Sequence, residues 1–253
     1  MNDRLRIWQR QAHGVLVVAE KNALLYYLKP PVLIFGVLFP IFFFLAFKMG
    51  RDIPTSRVVP GMIAMALWFT ASAVGPLVTP WERRAKTYER LISSPLALRT
   101  IVVGDITSGF LFGFAFTFLP VGLGLLFTQA VVADWIMLTV GVFLGALTFS
   151  TLGVLLASPP ATSPSHIMML SNLVRLPLLF VSGVFVPIAE MPPWARWLAP
   201  ISPLSYAGDL IRRGFGQPGY YPPSLDVLAL IALVVAMFCG SWAFHRRWRS
   251  KGL

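Results

Sequence analysis

What the chain has least of is charge. Only 12% of its 253 residues are Asp, Glu, Lys or Arg, while 57% are hydrophobic and the mean hydropathy is +0.73. Soluble globular domains carry about twice that charged fraction, so the solvent for most of the chain is lipid. Cysteine is nearly missing too. The single Cys239 sits in an apolar run, which excludes a disulfide framework and a thiolate metal site and reads as a small packing residue. The three histidines, His13, His166 and His245, fall in different segments, so no catalytic or metal site is expected. No Gly-x-x-x-x-Gly-Lys-Ser/Thr loop is present, nor a polar stretch long enough to hold a nucleotide-binding domain. The chain is therefore not expected to be an enzyme, and needs no cofactor of its own. Met1 to Lys29 is charged and mixed, unlike a cleavable signal peptide, so the first span is expected to direct insertion.

The net charge of +11 would suit a nucleic-acid binder if the basic residues formed one face. They lie instead in short clusters between long apolar runs, the pattern of loops beside an anionic leaflet, so the expected contact is membrane lipid and not nucleic acid.

A helix needs about 20 apolar residues to cross a hydrocarbon core of about 30 Å. That ruler predicts an all-α integral membrane protein with six transmembrane helices, at Pro30 to Phe47, Val58 to Thr79, Ile101 to Thr128, Trp135 to Ala157, Ile167 to Val186 and Asp226 to Phe244. Pro40, Pro76, Pro120 and Pro177 lie inside these runs and predict kinks, because neighbouring helices can satisfy the carbonyls they free. Fourteen Lys and Arg fall in segment 1–29, loop 80–100 and the C-terminal tail, against six in the opposite loops, which places both termini in the cytoplasm. Ahead of the first span, Leu5, Trp8, Ala12, Val15 and Ala19 recur as one helical stripe. Such a helix lies on the membrane surface or packs against its own domain, and the scarcity of soluble mass favours the surface.

Thr79-Pro80-Trp81-Glu82 has the form of a capping box and predicts a short cytoplasmic helix starting there and ending near Ser93-Ser94-Pro95. Its aromatic and basic faces suit either a soluble partner or lipid headgroups. Beyond the fifth span, Pro192 and Pro193 open a short helix through Trp194, Trp197 and Leu198. Ser202 and Pro203 start another, with Asp209 before Arg212 and Arg213 and an end near Gly214 and Gly216. This segment is too interrupted to span and reads as a re-entrant or surface-lying cap.

ERRAKTYERLISSPLALRTIVVGD, residues 82–105, resembles the cytoplasmic coupling region of ATP-binding-cassette type-two exporter permeases, the group that includes daunorubicin-, Nod-factor- and polysaccharide-export permeases. The matching positions are Glu82, Arg83, Thr87, Glu89, Leu91, Ser94, Pro95 and Gly104; Lys86 departs, standing where the family commonly has Gly. FVSGVFVPIAEMPPWARWLAPISPLSYAGDLIRRGF, residues 180–215, resembles the proline-rich series of the same family. The resemblance implies a G-type (type V) exporter fold, with a connecting helix at 1–29 and a six-span permease domain at 30–253 that contains a coupling loop at 80–100 and an external cap at 187–225. It implies a homodimer, or a heterodimer with a similar permease, working with a separate nucleotide-binding ATPase that holds ATP and Mg, in a prokaryotic inner or plasma membrane. Glu82, Arg83, Arg84, Lys86, Thr87, Glu89, Leu91 and Pro95 are the expected coupling residues.

Arg175, mid-span, is the most informative side chain, because a cation at that depth needs a bundle interior, a water-filled cavity or a partner. With Asn172 it reads either as part of a polar translocation path for an amphiphilic lipid, glycolipid or glycan, or as a structural bond to carbonyls freed near Pro177. Phe39, Phe43 and Trp68 are the candidate apolar lining of that path, although lipid-facing bulk is the plainer reading for any one Phe. Asp105 reads as a cap or a snorkelling group. Gly109 with Gly113, and Gly141 with Gly145, suit close helix approach within one subunit. Drug efflux by the same family is the nearest alternative; an intramembrane enzyme or a secondary transporter is more distant.

Overall fold

Long apolar runs broken by Pro, Gly and Ser–Pro pairs make helices and little else, because in such a composition only intra-segment hydrogen bonds satisfy the backbone. The computed structural model describes residues 2–26, 55–85, 96–128, 130–159 and 163–249, with Ile34, Leu38, Ile41, Phe42 and Leu45. Among these there is no strand. The helices are α1 (Asn2–Tyr26), α2 (Thr55–Arg84), α3 (Leu98–Phe127), α4 (Trp135–Ala157), α5 (Pro164–Phe180), α6 (Pro193–Leu198), α7 (Pro203–Gly214) and α8 (Pro223–Arg249), with 3-10 turns at Ile188–Glu190 and Ala199–Ile201.

α2 is the axis of the bundle. It is buried along nearly its whole length and is packed by α3, α4, α5 and α7, with Trp68 against Phe149 of α4 in an edge-to-face contact at 4.8 Å. α2 and α4 cross backbone to backbone where Gly75 meets Gly153: a Cβ on Gly75 would stand 2.2 Å from the Gly153 carbonyl oxygen. α8 lies on the outside of α4 and leaves Leu228, Ile231, Val235 and Trp242 exposed along one stripe. Cys239 is exposed there as well, so it is not a packing residue.

Among the described residues, four helices are long and apolar enough to cross a bilayer: Val58–Arg84, Leu98–Phe127, Trp135–Ala157 and Pro223–Arg246. α5 has 17 residues, about 26 Å at 1.5 Å each, and ends before the expected Val186. A turn at Ser182 and Gly183, the latter at φ 84°, diverts the chain there. The expected first span, 30–47, lies outside the described residues apart from five positions.

Pro76, Pro120 and Pro177 all sit inside helices as expected. The capping-box reading of Thr79-Pro80 fails, because α2 runs straight through Pro80 to Arg84. The motif is local, while Thr79 and Glu82 are buried by tertiary packing that holds the helix together past the proline. The α1 stripe was misplaced by about a quarter turn. Gly14, Val18, Ala19 and Asn22 are buried, Val15 is half-buried and Ala12 is exposed, because α1 packs on α3 rather than lying free on a surface. Its outer face still shows Leu16, Val17 and Leu24.

The bundle has two unlike ends. At one, α1 crosses the C-terminal end of α2 and the N-terminal end of α3, and Arg83 reaches the carbonyls of Ser158 and Pro159 after α4. At the other, the amides of Ala133 and Asp134 donate to the Gly214 carbonyl at 2.8 and 3.0 Å, tying α7 to the start of α4.

Candidate functional site

Among the described residues, three groups of polar side chains stand out in this apolar bundle, each built by a different set of elements. The first is the junction of α1 with α2 and α3. Lys21 pairs with Glu82, and the buried Asn22 amide donates to Asp105 at 2.7 Å and to Ser108 at 3.2 Å. About three turns nearer the start of α1, Gln11 accepts from the Ala97 amide at 3.1 Å and from the Thr100 hydroxyl. Gly104 allows the approach, since a Cβ there would stand 2.7 Å from Val18. Asp105 therefore neither caps α3 nor snorkels, but bonds to α1.

This junction divides the expected coupling residues. Glu82 is buried against Lys21, and Arg83 is turned inward onto the carbonyls that end α4, at 3.2 and 3.4 Å. Arg84 is exposed, with its guanidinium 5.8 Å from the Trp81 ring centre. Lys86, Thr87, Glu89, Leu91 and Pro95 lie outside the described residues. The side chains that tie α1 down, Gln11, Lys21 and Asn22, were missed because they lie in the polar stretches 9–11 and 20–22, outside the apolar stripe that the helical period picks out.

The second group lies between α2 and α5. Met168, Ser171, Asn172 and Arg175 form one stripe of α5 at i, i+3, i+4 and i+7, facing Ala73, Pro76 and Leu77 of α2 across a narrow crevice. Arg175 is buried; its Nη1 donates to the Ser72 carbonyl at 3.4 Å and its guanidinium carbon stands 5.2 Å from the Phe69 ring centre. Ser72 is four residues before Pro76, so its carbonyl is the one that proline leaves without a helical donor. Arg175 does reach a carbonyl freed by a proline, but the proline concerned is Pro76 rather than Pro177. Arg175 and Asn172 do share a site. Trp68 does not: it is fully buried in the core beside Phe149, away from the crevice lining. Phe39 and Phe43 lie outside the described residues. Ser171 was the missed neighbour, and its signal was its place one turn before Arg175.

The third group is the cap. Pro192, Pro193, Ser202, Pro203 and Gly214 stand where the helix signals put them, although Ser202 makes no side-chain cap bond and Ser205 instead donates to the Ala199 carbonyl at 2.7 Å. α7 is not surface-lying. Leu204 through Ile211 are buried as it packs on α4, α8 and α2. Asp209 accepts from the amides of Tyr220 at 2.6 Å and Tyr221 at 3.0 Å and faces Arg212 at 3.5 Å, while Arg212 also donates to the Gly183 carbonyl. Burial pushes the Asp209 carboxyl above its ordinary range against the pull of those amides and of Arg212. Trp194 and Trp197 of α6 are exposed, as interface aromatics are. The two Gly pairs contact Ala71, Ser150, Leu67, Ala207, Leu210 and Ile211 of this same chain, as expected.

Residues 14–216, from the α1 junction through the α7 cap, match the family model described as ABC-2 type transporter. The chain belongs to that family. It is also similar along nearly its whole length to the inner membrane transport permease YadH of Escherichia coli K12, with 25% identity over 247 residues, 96% of this chain and 94% of that one. Similarity extends to nodulation protein J of Bradyrhizobium diazoefficiens, 28% identical over 222 residues (83% of this chain and 81% of that protein), and of Neorhizobium galegae, 25% over 250 residues (95% and 92%). The ABC-2 permease is a multi-pass membrane protein, and permeases of this family work with a separate ATPase subunit.

Proposed function

We propose that this ABC-2 permease is the transmembrane half of an exporter that moves an amphiphilic lipid, glycolipid or glycan outward by alternating access. A separate subunit binds ATP and Mg and hydrolyses the nucleotide, and the chain itself catalyses nothing. The observation that carries this reading is the inequality of the two bundle ends. One gathers α1, the Lys21–Glu82 pair, Arg83 and the exposed Arg84, and the other is closed by the buried α7. A docked ATPase at the first end would act on α1 and α2 together, since their side chains are paired.

In this reading the basic end and both termini are cytoplasmic, the spans number six with the run at 30–47 as the first, and two copies of the permease join two ATPases. The excess of Lys and Arg supports the orientation. Arg84 and Lys86 take the coupling role, because Glu82 and Arg83 are committed inside the permease. Charge reversal at Arg84 and Lys86 together is expected to abolish co-purification of a co-expressed partner ATPase, and reversal at the exposed Arg84 alone to leave the thermal midpoint of the permease unchanged, since an exposed charge contributes about 1 kcal/mol or less to stability. Undiminished association, or a permease that captures no ATPase in any nucleotide state, overturns the reading.

A further inference from the structure

Arg175 is a buried cation, 5% exposed, and neither ion pair found among the described residues includes it. Its Nε has no hydrogen-bond partner, and neither does the Ser171 hydroxyl one turn away, which is 1% exposed. Among the described residues this guanidinium has one carbonyl and one ring for company, which compensates it incompletely, and an anion is the kind of group that completes such a set. Both orphaned atoms belong to side chains that line the α2–α5 crevice.

We propose that this crevice binds the anionic head of an amphiphile. The inference rests on the permease reading and names the cargo class of that machine. The two walls divide the work. α5 supplies donors from Ser171, Asn172 and Arg175, a set that suits a phosphate, sulfate or carboxylate. α2 supplies Ala73, Pro76 and Leu77, with Met168 beside them, an apolar surface for the first carbons of a chain. Pro76 does two things here. It leaves the Ser72 carbonyl that anchors one arm of Arg175, and its ring adds to the apolar wall of the crevice. Pro76 lies eight residues, about 12 Å along α2, from Arg84 at the basic end, so the head is met in the half of the bundle nearest the ATPase, where an outward cargo loads. A neutral drug would leave the cation uncompensated, which is why the anionic class is preferred.

The test uses the full chain in phosphatidylcholine nanodiscs, with empty discs as the baseline for partitioning. Dodecyl phosphate and dodecyl maltoside, equal in chain and unlike in charge, are titrated calorimetrically, with inorganic phosphate as a third probe. Dodecyl phosphate is expected to bind saturably and at least tenfold more tightly than the maltoside. Arg175→Gln should lose that preference, Arg175→Lys should keep part of it, and Ser171→Ala should weaken dodecyl phosphate about threefold. Wild-type indifference to head charge overturns the proposal, as does full affinity in a folded Arg175→Gln. Binding of inorganic phosphate as tight as that of the amphiphile also overturns it, in favour of a small-anion site. Should Arg175→Gln fail to fold, Ser171→Ala and the crevice-filling Ala73→Leu decide, and wild-type affinity in both sinks the idea. None of these outcomes depends on ATPase capture, so a failure of the permease reading and a failure of the anion site are seen separately.

Discussion

Arg212, partly buried, and Arg175, buried, are both arginines set into an apolar bundle, and the chain treats them differently. Arg212 faces the Asp209 carboxylate and donates to the Gly183 carbonyl, and Asp209 is itself held by two backbone amides. Arg175 has a carbonyl freed by a proline and an aromatic face, with no carboxylate among the described residues. The first arrangement closes on itself and fixes the cap to the bundle. The second is left open on one side, and that side is a crevice. The difference teaches that burial of a charge does not by itself separate structure from function. What separates them is whether the chain supplies the counter-charge.

The comparison breaks most visibly if the closed arrangement is opened. Asp209→Ala removes the counter-charge of Arg212 and the acceptor of the Tyr220 and Tyr221 amides together, leaving a part-buried cation and two part-buried donors. Losing one partner of a buried pair costs about 3–5 kcal/mol, so the thermal midpoint in detergent should fall by more than for any single change at the crevice. A midpoint within error of wild type would mean the cap is not held by this pair.

The opposite result is expected at the open arrangement. Arg175→Met gives up one hydrogen bond to Ser72, about 1 kcal/mol, and at the same time removes a buried charge that has no counter-ion. The two nearly offset, so stability should move by about 1 kcal/mol or less in either direction, while binding of dodecyl phosphate is lost. Denaturation monitored by circular dichroism separates the cases. A loss as large as that of Asp209→Ala would place Arg175 among the structural groups and erase the contrast.

The outline of this fold could be read where the signal is local, and not where it depends on a distant neighbour. The bounds Trp135 to Ala157 came out to the residue, because Asp134 caps α4 with bonds to Ile136 and Met137 and Ser158-Pro159 follows its end. Pro193, Pro203 and Gly214 marked the cap helices for the same reason. Thr79-Pro80 has equally good local signals, yet α2 passes through it, because α1 and α3 bury that turn and Lys21, 61 positions away, neutralises Glu82. Of the crevice, Arg175 and Asn172 were legible as polar groups in an apolar run. That Pro76, a hundred residues earlier, supplies the acceptor was not, since only the packing of α5 on α2 joins them. Arg83 shows the same limit: a basic residue in a loop-like stretch reads as exposed until the carbonyls of Ser158 and Pro159 are found within its reach.

The smallest expected effect concerns whether the closed arrangement is as dry as the comparison requires. Tyr221, beside Asp209, has a buried hydroxyl without a hydrogen-bond partner, and its ring stacks near that of Tyr206 at 5.2 Å. Burial, with the neighbouring phenols and carboxyls adding to it, pushes its ionisation from 10.0 up to about 12. Because the folded value lies above the unfolded one, the neutral phenol favours the folded cap fully below pH 10, and that contribution is lost as pH rises towards 12. Absorbance titration near 295 nm should therefore show Tyr221 ionising late among the six tyrosines, with Tyr206 also displaced upward by burial, together with loss of the cap's packing, and Tyr221→Phe should diminish that late phase while changing stability at neutral pH little. If Tyr221 ionises near pH 10 with the ordinary phenols, water reaches the Asp209–Arg212 pair, the pair is screened, and Arg212 ceases to be the dry standard against which Arg175 is open.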